Sequence, residues 1–133
     1  MKRILVAFDG SEPARRALDT TIELAKASDA LVTVVSVVPV HPGRVPIDPW
    51  DDPRVHALEL REAEQILAAR GVTAEYVQPS GDPARKIEQL ADEGGFDTIV
   101  LGSRGLGAVS RFLQGSVSEH VATHASATVV ISH

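Results

Sequence analysis

Ile4-Leu5-Val6-Ala7-Phe8-Asp9-Gly10-Ser11-Glu12-Pro13 begins with the pattern of one kind of element and ends with that of another. Residues 4–8 are apolar without interruption, as strands buried on both faces are. Asp9-Gly10-Ser11 reads as a turn, Ser11 can cap a helix, and Pro13 falls in the first helical turn, where a missing N–H costs nothing. Ala14, Ala17, Leu18, Thr21, Ile22 and Ala25 then recur at three- and four-residue intervals, which marks one apolar helix face. A buried strand feeding a helix is the first half of a βαβ unit.

The rest of the chain repeats that unit. Residues 30–38 read as a second strand, and residues 55–70 as a helix that turns Leu60, Ala63, Ile66 and Leu67 inward and stops at Gly71. Residues 73–77 form a short third strand. Asp82-Pro83 opens a third helix with Ile87, Leu90 and Ala91 as its buried stripe, ended by Gly94-Gly95. Residues 97–101 are the fourth strand, about 116–124 the last helix, and 128–132 the fifth strand. The alternation predicts an α/β fold, a mostly parallel open sheet with helices on both faces, because parallel neighbours require long crossovers. Residues 39–53 depart from it, holding five of the eight prolines and the only tryptophan, Trp50. Two readings stand for that stretch: a surface loop stiffened by proline, or a lid anchored by Trp50.

Composition bounds the function. The 133 residues are 44% hydrophobic and 23% charged, the profile of one globular domain. Cysteine is absent, which excludes disulfides, thiolate metal sites and a cysteine nucleophile. A formal net charge of −5 argues against a general nucleic-acid or anionic-membrane binder. Residues 31–40, among the longest apolar stretches, are half the length of a membrane span. Five apolar residues before Asp9 are too few for a signal peptide's core. The expectation is a cytoplasmic protein with no nucleic-acid or membrane partner.

The most informative stretch is Gly102-Ser103-Arg104-Gly105-Leu106-Gly107-Ala108-Val109-Ser110-Arg111-Phe112-Leu113-Gln114-Gly115-Ser116-Val117-Ser118. It joins the end of the fourth strand to the start of the last helix. Glycines there let backbone N–H groups approach an oxyanion, and a helix N-terminus adds unpaired donors and partial positive charge. Ser116 and Glu119 fit a capping box, which leaves the amides of Val117 and Ser118 free to face a ligand. Arg104 and Arg111 are either phosphate contacts or solvated surface arginines. In open parallel sheets, ligands sit outside the carboxyl ends of strands where the strand order reverses. Asp9 and Gly102 lie at such ends, and with order 3-2-1-4-5 they face one crevice lined by Val37 and Val38.

The spacing Gly102-x2-Gly105-x9-Gly115-Ser116 resembles the ATP-binding signature of the universal stress protein (UspA-type) family. Residues 4–11 resemble that family's opening strand and acidic turn, and Gly81-Asp82-Pro83 its step before the third helix. The resemblance implies a Rossmann-like fold of order 3-2-1-4-5, similar to the adenine nucleotide alpha hydrolases, with ATP in the crevice and a homodimer formed through the last strand. It implies that Asp9 contacts the nucleoside end or helps hold a metal, and that Val37 offers backbone hydrogen bonds to adenine. Leu101, Gly102, Arg104 and Gly105 would pack on ribose and phosphates, and Gly115, Ser116, Val117 and Ser118 would cradle the phosphates, with Mg2+ bridging phosphate oxygens. Two positions depart from the family pattern: Ser36 stands where histidine is common, and Ala127 near where a proline often precedes the last strand.

Catalytic machinery is sparse. Asp9 is the one carboxylate the pattern brings to the crevice, and Ser11 is better explained as a cap than as a nucleophile. His120 and His124 have a zinc-compatible spacing without an evident third ligand, and His41, His56 and His133 have no partner that spacing identifies. The expectation is therefore a nucleotide-dependent stress-response or signalling switch, with any ATP hydrolysis slow. The alternative is an ATP-dependent enzyme of the related α/β superfamily, a slow ATPase or nucleotidyl transferase. The chain lacks the Ser-Gly-Gly-x-Asp-Ser and His-Ile-Gly-His motifs such enzymes carry.

Overall fold

The computed structural model describes residues 1–39, 52–102, 121–122 and 125–132. In chain order these form β1 (Arg3–Ala7), α1 (Glu12–Ser28), β2 (Leu31–Val35), β3 (Val38–Pro39), α2 (Pro53–Ala69), β4 (Ala74–Val77), β5 (Ser80–Gly81), α3 (Pro83–Glu93), β6 (Thr98–Gly102) and β7 (Thr128–Ser132). Five of the strands make one sheet of order β4-β2-β1-β6-β7, parallel at every pairing. With the two-residue strands β3 and β5 set aside in a ladder of their own, this is the expected 3-2-1-4-5 order.

Alternation along the strands builds two cores. Ile4, Val6, Phe8, Val32 and Val34 face α1 and α2, where they meet Leu18, Ile22, Ala63 and Leu67. Leu5, Ala7, Val35, Ile99 and Leu101 face the other way, against Ile87 and Ala91 of α3 and against Val121. Because β1, β2 and β6 are covered on both faces, they read as largely apolar runs, with Thr33 the one polar residue inside β2; the edge strands β4 and β7 are mostly half-buried.

Local signals placed the helix starts well. Ser11 caps α1, its hydroxyl oxygen accepting from the Ala14 N–H at 3.3 Å. Asp82 caps α3 by accepting from the Arg85 N–H at 3.1 Å. Helix α2 begins two residues before the expected start, with Asp52 as its cap and Pro53 in its first turn. The last proline of the proline-rich stretch is thus a helix starter rather than part of a loop, the position where proline is favoured.

The expected second strand, residues 30–38, is two strands. The ladder to β4 continues through Ser36 N–H to Val77 O at 3.1 Å, then Pro79, which cannot donate, interrupts the partner strand. Val38 N–H reaches Pro79 O at 2.8 Å and pairing resumes as β3 with β5. Val121 and Ala122, the described residues of the expected last helix, are helical. Residues 40–51, including Trp50 and His41, and residues 103–120, 123–124 and 133 lie outside the described residues, so both readings of the proline-rich stretch stand.

Candidate functional site

The reversal of strand order falls between β1 and β6. β1 continues through α1 to β2 on one side, whereas β6 leads to β7 on the other, so the connections part and leave a crevice at the carboxyl ends. The last β1–β6 partners are Val6 and Val100. Beyond them β1 runs through Phe8 into the Asp9-Gly10-Ser11 turn, where Gly10 takes φ +79°, a conformation natural to glycine.

Asp9 is 3% exposed. Its Oδ1 accepts from the Ser11 N–H at 2.9 Å and from the Ser11 hydroxyl. Its Oδ2 is buried and has no hydrogen-bond partner among the described residues. A buried carboxylate oxygen without a donor is costly, so this atom calls for a donor or a cation from elsewhere.

Val37 lies on the neighbouring strand end. Phe8 N–H donates to Val35 O at 2.9 Å, while the N–H groups of Ser36 and Val38 are directed away, to Val77 and Pro79. Backbone direction alternates along an extended chain, so Val37 presents its N–H and C=O on the β1 side, past the point where β1 has turned off. No described residue bonds to them.

A buried polar cluster lies behind these strand ends. His56 and Glu59, one turn apart on α2, reach Ser36 at the end of β2. The Ser36 hydroxyl and His56 Nδ1 are 2.6 Å apart, and Glu59 Oε1 is 3.4 Å from both. Glu59 Oε2 lies 3.3 Å from where a Cβ on Gly10 would stand. On the outer surface Arg15 of α1 bonds Glu62 of α2 at 2.8 Å, which holds the guanidinium pKa above its usual value. Among the described residues no group of three or more His, Asp or Glu side chains is arranged to hold a metal ion, and no helix is long and apolar enough to cross a membrane.

A model of the universal stress protein family matches residues 1–133. The chain belongs to that family. Universal stress protein YxiE of Bacillus subtilis (strain 168) is 32% identical to it over 148 residues, 97% of each chain. The crystal structure of a universal stress protein from Burkholderia pseudomallei matches with TM-score 0.76 and 31% identity, covering 98% of this chain and 94% of that one. The Archaeoglobus fulgidus universal stress protein, solved in complex with dAMP, matches with TM-score 0.79 and 28% identity over 100% of this chain and 98% of its own.

In this universal stress protein Asp9, Val37, Leu101 and Gly102 all lie at the carboxyl edge of the sheet. Leu101 is buried against Val121 and α3, and Gly102 ends β6. Arg104, Gly105, Gly115, Ser116, Val117 and Ser118 lie outside the described residues, as do Arg111, His120 and His124. Behind the crevice the structure adds Glu59, a second carboxylate that packs under Gly10, and it gives His56, which spacing alone could not partner, Ser36. The missed signal was the i, i+3 pair His56–Glu59 on an otherwise apolar helix face.

Proposed function

We propose that this universal stress protein binds ATP in the crevice between β1 and β6 and works as a homodimeric, nucleotide-dependent stress-response or signalling switch. The observation that carries the reading is Asp9 Oδ2, a buried acceptor with no donor among the described residues. A carboxylate there favours a group that brings donors, a ribose hydroxyl or the adenine amino group, and it disfavours bare phosphate. Val37 adds a backbone edge of the kind that pairs with a planar base. The A. fulgidus universal stress protein, solved in complex with dAMP, supports an adenine nucleotide as the ligand class.

In this reading Asp9 meets the nucleoside end or helps hold a metal, and Val37 hydrogen-bonds adenine. Leu101, Gly102, Arg104 and Gly105 flank ribose and phosphates, and Gly115, Ser116, Val117 and Ser118 receive the phosphates on their backbone N–H groups. Magnesium, when bound, supplies neutralising charge to phosphate oxygens, and Asp9 is the described carboxylate placed to assist. Titration calorimetry with ATP, with and without magnesium, and with AMP tests the proposal. Micromolar-class binding is the expected result, and absence of heat for either nucleotide overturns it.

A further inference from the structure

Buried polar side chains are unevenly distributed among the described residues. Seven are found: three are threonines, and the other four are Asp9, Ser36, His56 and Glu59. Those four gather at the carboxyl edge of β1 and β2. A cluster like this gives little stability over a well-packed apolar one, because each polar group must regain the hydrogen bonds it loses on burial. What it gives is directional constraint, provided that its members satisfy one another.

The connections are specific. His56 is fully buried, with Nδ1 2.6 Å from the Ser36 hydroxyl oxygen; that hydroxyl gives its one proton to Glu59 Oε1, so the tautomer that satisfies all three carries the ring proton on Nδ1 and donates it to Ser36. Ser36 is the peptide neighbour of Val37, and its own N–H is fixed to Val77 O. Three residues along α2 from His56, Glu59 turns one oxygen to Ser36 and His56 and places the other beneath Gly10. One turn of α2 therefore touches both the β2 end that carries Val37 and the β1 turn that carries Asp9. The arrangement is not a hydrolytic triad. Serine and carboxylate meet the same ring nitrogen, and all three side chains are buried.

We propose that His56 is a positioning residue of the nucleotide crevice: through Ser36 and Glu59 it holds Val37 and the Asp9-Gly10 turn in fixed relation. It touches no ligand itself. This rests on the ATP-binding reading for its functional consequence, but its structural consequence can be measured without nucleotide. Removing the imidazole takes away the group that Ser36 and Glu59 both meet, and both strand ends shift. The side-chain amide of asparagine at position 56 keeps a donor where Nδ1–H stood.

The test compares His56→Ala, His56→Asn and Ser36→Ala with the parent by three measurements: amide resonances of Gly10 and Val37 in the nucleotide-free protein, ATP affinity, and melting temperature. In His56→Ala and Ser36→Ala both resonances should move and ATP affinity should fall about tenfold, with no further loss on combining the two. His56→Asn should return both readouts close to the parent. Unmoved Gly10 and Val37 resonances in His56→Ala overturn the proposal whatever the parent binds. So does a lower melting temperature with ATP affinity unchanged, the signature of a merely structural contact. Should His56→Ala fail to fold, Ser36→Ala decides by the same criteria. A parent that binds no ATP refutes the proposed function instead, and the resonances still decide the role of His56.

Discussion

Gly102 lies so close to Pro13 that a Cβ on Gly102 would stand 2.5 Å from both the carbonyl carbon and the carbonyl oxygen of Pro13. The end of β6 thus passes directly against the first turn of α1, and the glycine has a packing reason independent of any phosphate. Backbone cannot swing aside as a flexible side chain does. Gly102→Ala should therefore destabilise the nucleotide-free protein by about 1–3 kcal/mol, the usual range for overpacking. Urea denaturation without nucleotide measures this, and an unchanged midpoint would show that the two segments separate at little cost.

At the opposite end of the sheet, Asp97 ties β1 to β6. Its Oδ2 accepts from the Lys2 N–H at 2.8 Å and the Arg3 N–H at 3.4 Å, and its Oδ1 from the Thr98 hydroxyl at 2.9 Å. The Lys2 bond, chiefly, holds the carboxyl below its ordinary pKa of 3.8. A lowered folded-state pKa stabilises above the unfolded value and loses that contribution as pH falls through the folded one. Asp97→Asn should thus be less stable than the parent near neutrality, with the gap closing from roughly pH 4 downward. Thermal melts across that range check it, and a gap constant with pH would refute the charge contribution.

What could be read from the chain was local. The residues of β1 and β7, the Ser11 and Asp82 caps and the inward faces of α1 and α3 follow from short-range patterns. The break at Ser36 was not legible, because it depends on Pro79 in a strand that pairs with it only in three dimensions. The Ser36–His56–Glu59 cluster was hidden for the same reason: twenty residues separate serine from histidine, and only the docking of α2 on β2 closes that interval. That Asp9, Val37 and Gly102 lie at one edge of the sheet could be read beforehand because each stands at the carboxyl end of a strand that short-range pattern marks.

β7 is an outer strand of the sheet, and Val129, Val130 and Ile131 are only half-buried on it. An apolar strand edge invites pairing with another chain, which supports the proposed homodimer. Light scattering at tens of micromolar should give twice the monomer mass. Ile131→Lys, which sets a charge on that edge, should shift the protein toward monomer; a monomeric parent would refute the interface.

The orphaned oxygen of Asp9 leads to a prediction in which stability and binding separate. Asparagine at position 9 keeps an oxygen for the two Ser11 donors and replaces the unpaired Oδ2 with a donor. Without nucleotide, the variant no longer buries a carboxylate oxygen that lacks a hydrogen-bond partner among the described residues, so its stability should equal or exceed the parent's. With nucleotide, a donor now faces a donor, and affinity should fall about 10- to 100-fold, the range for losing a hydrogen bond to a charged group. Adenosine and ATP should suffer alike, because Asp9 is assigned to the nucleoside end. Gly115→Val should instead abolish ATP binding while sparing adenosine, since its side chain occupies the assigned phosphate position. Denaturation paired with calorimetry separates the outcomes: an Asp9→Asn protein that binds adenosine like the parent would remove Asp9 from the nucleoside end and leave it only the metal-holding role.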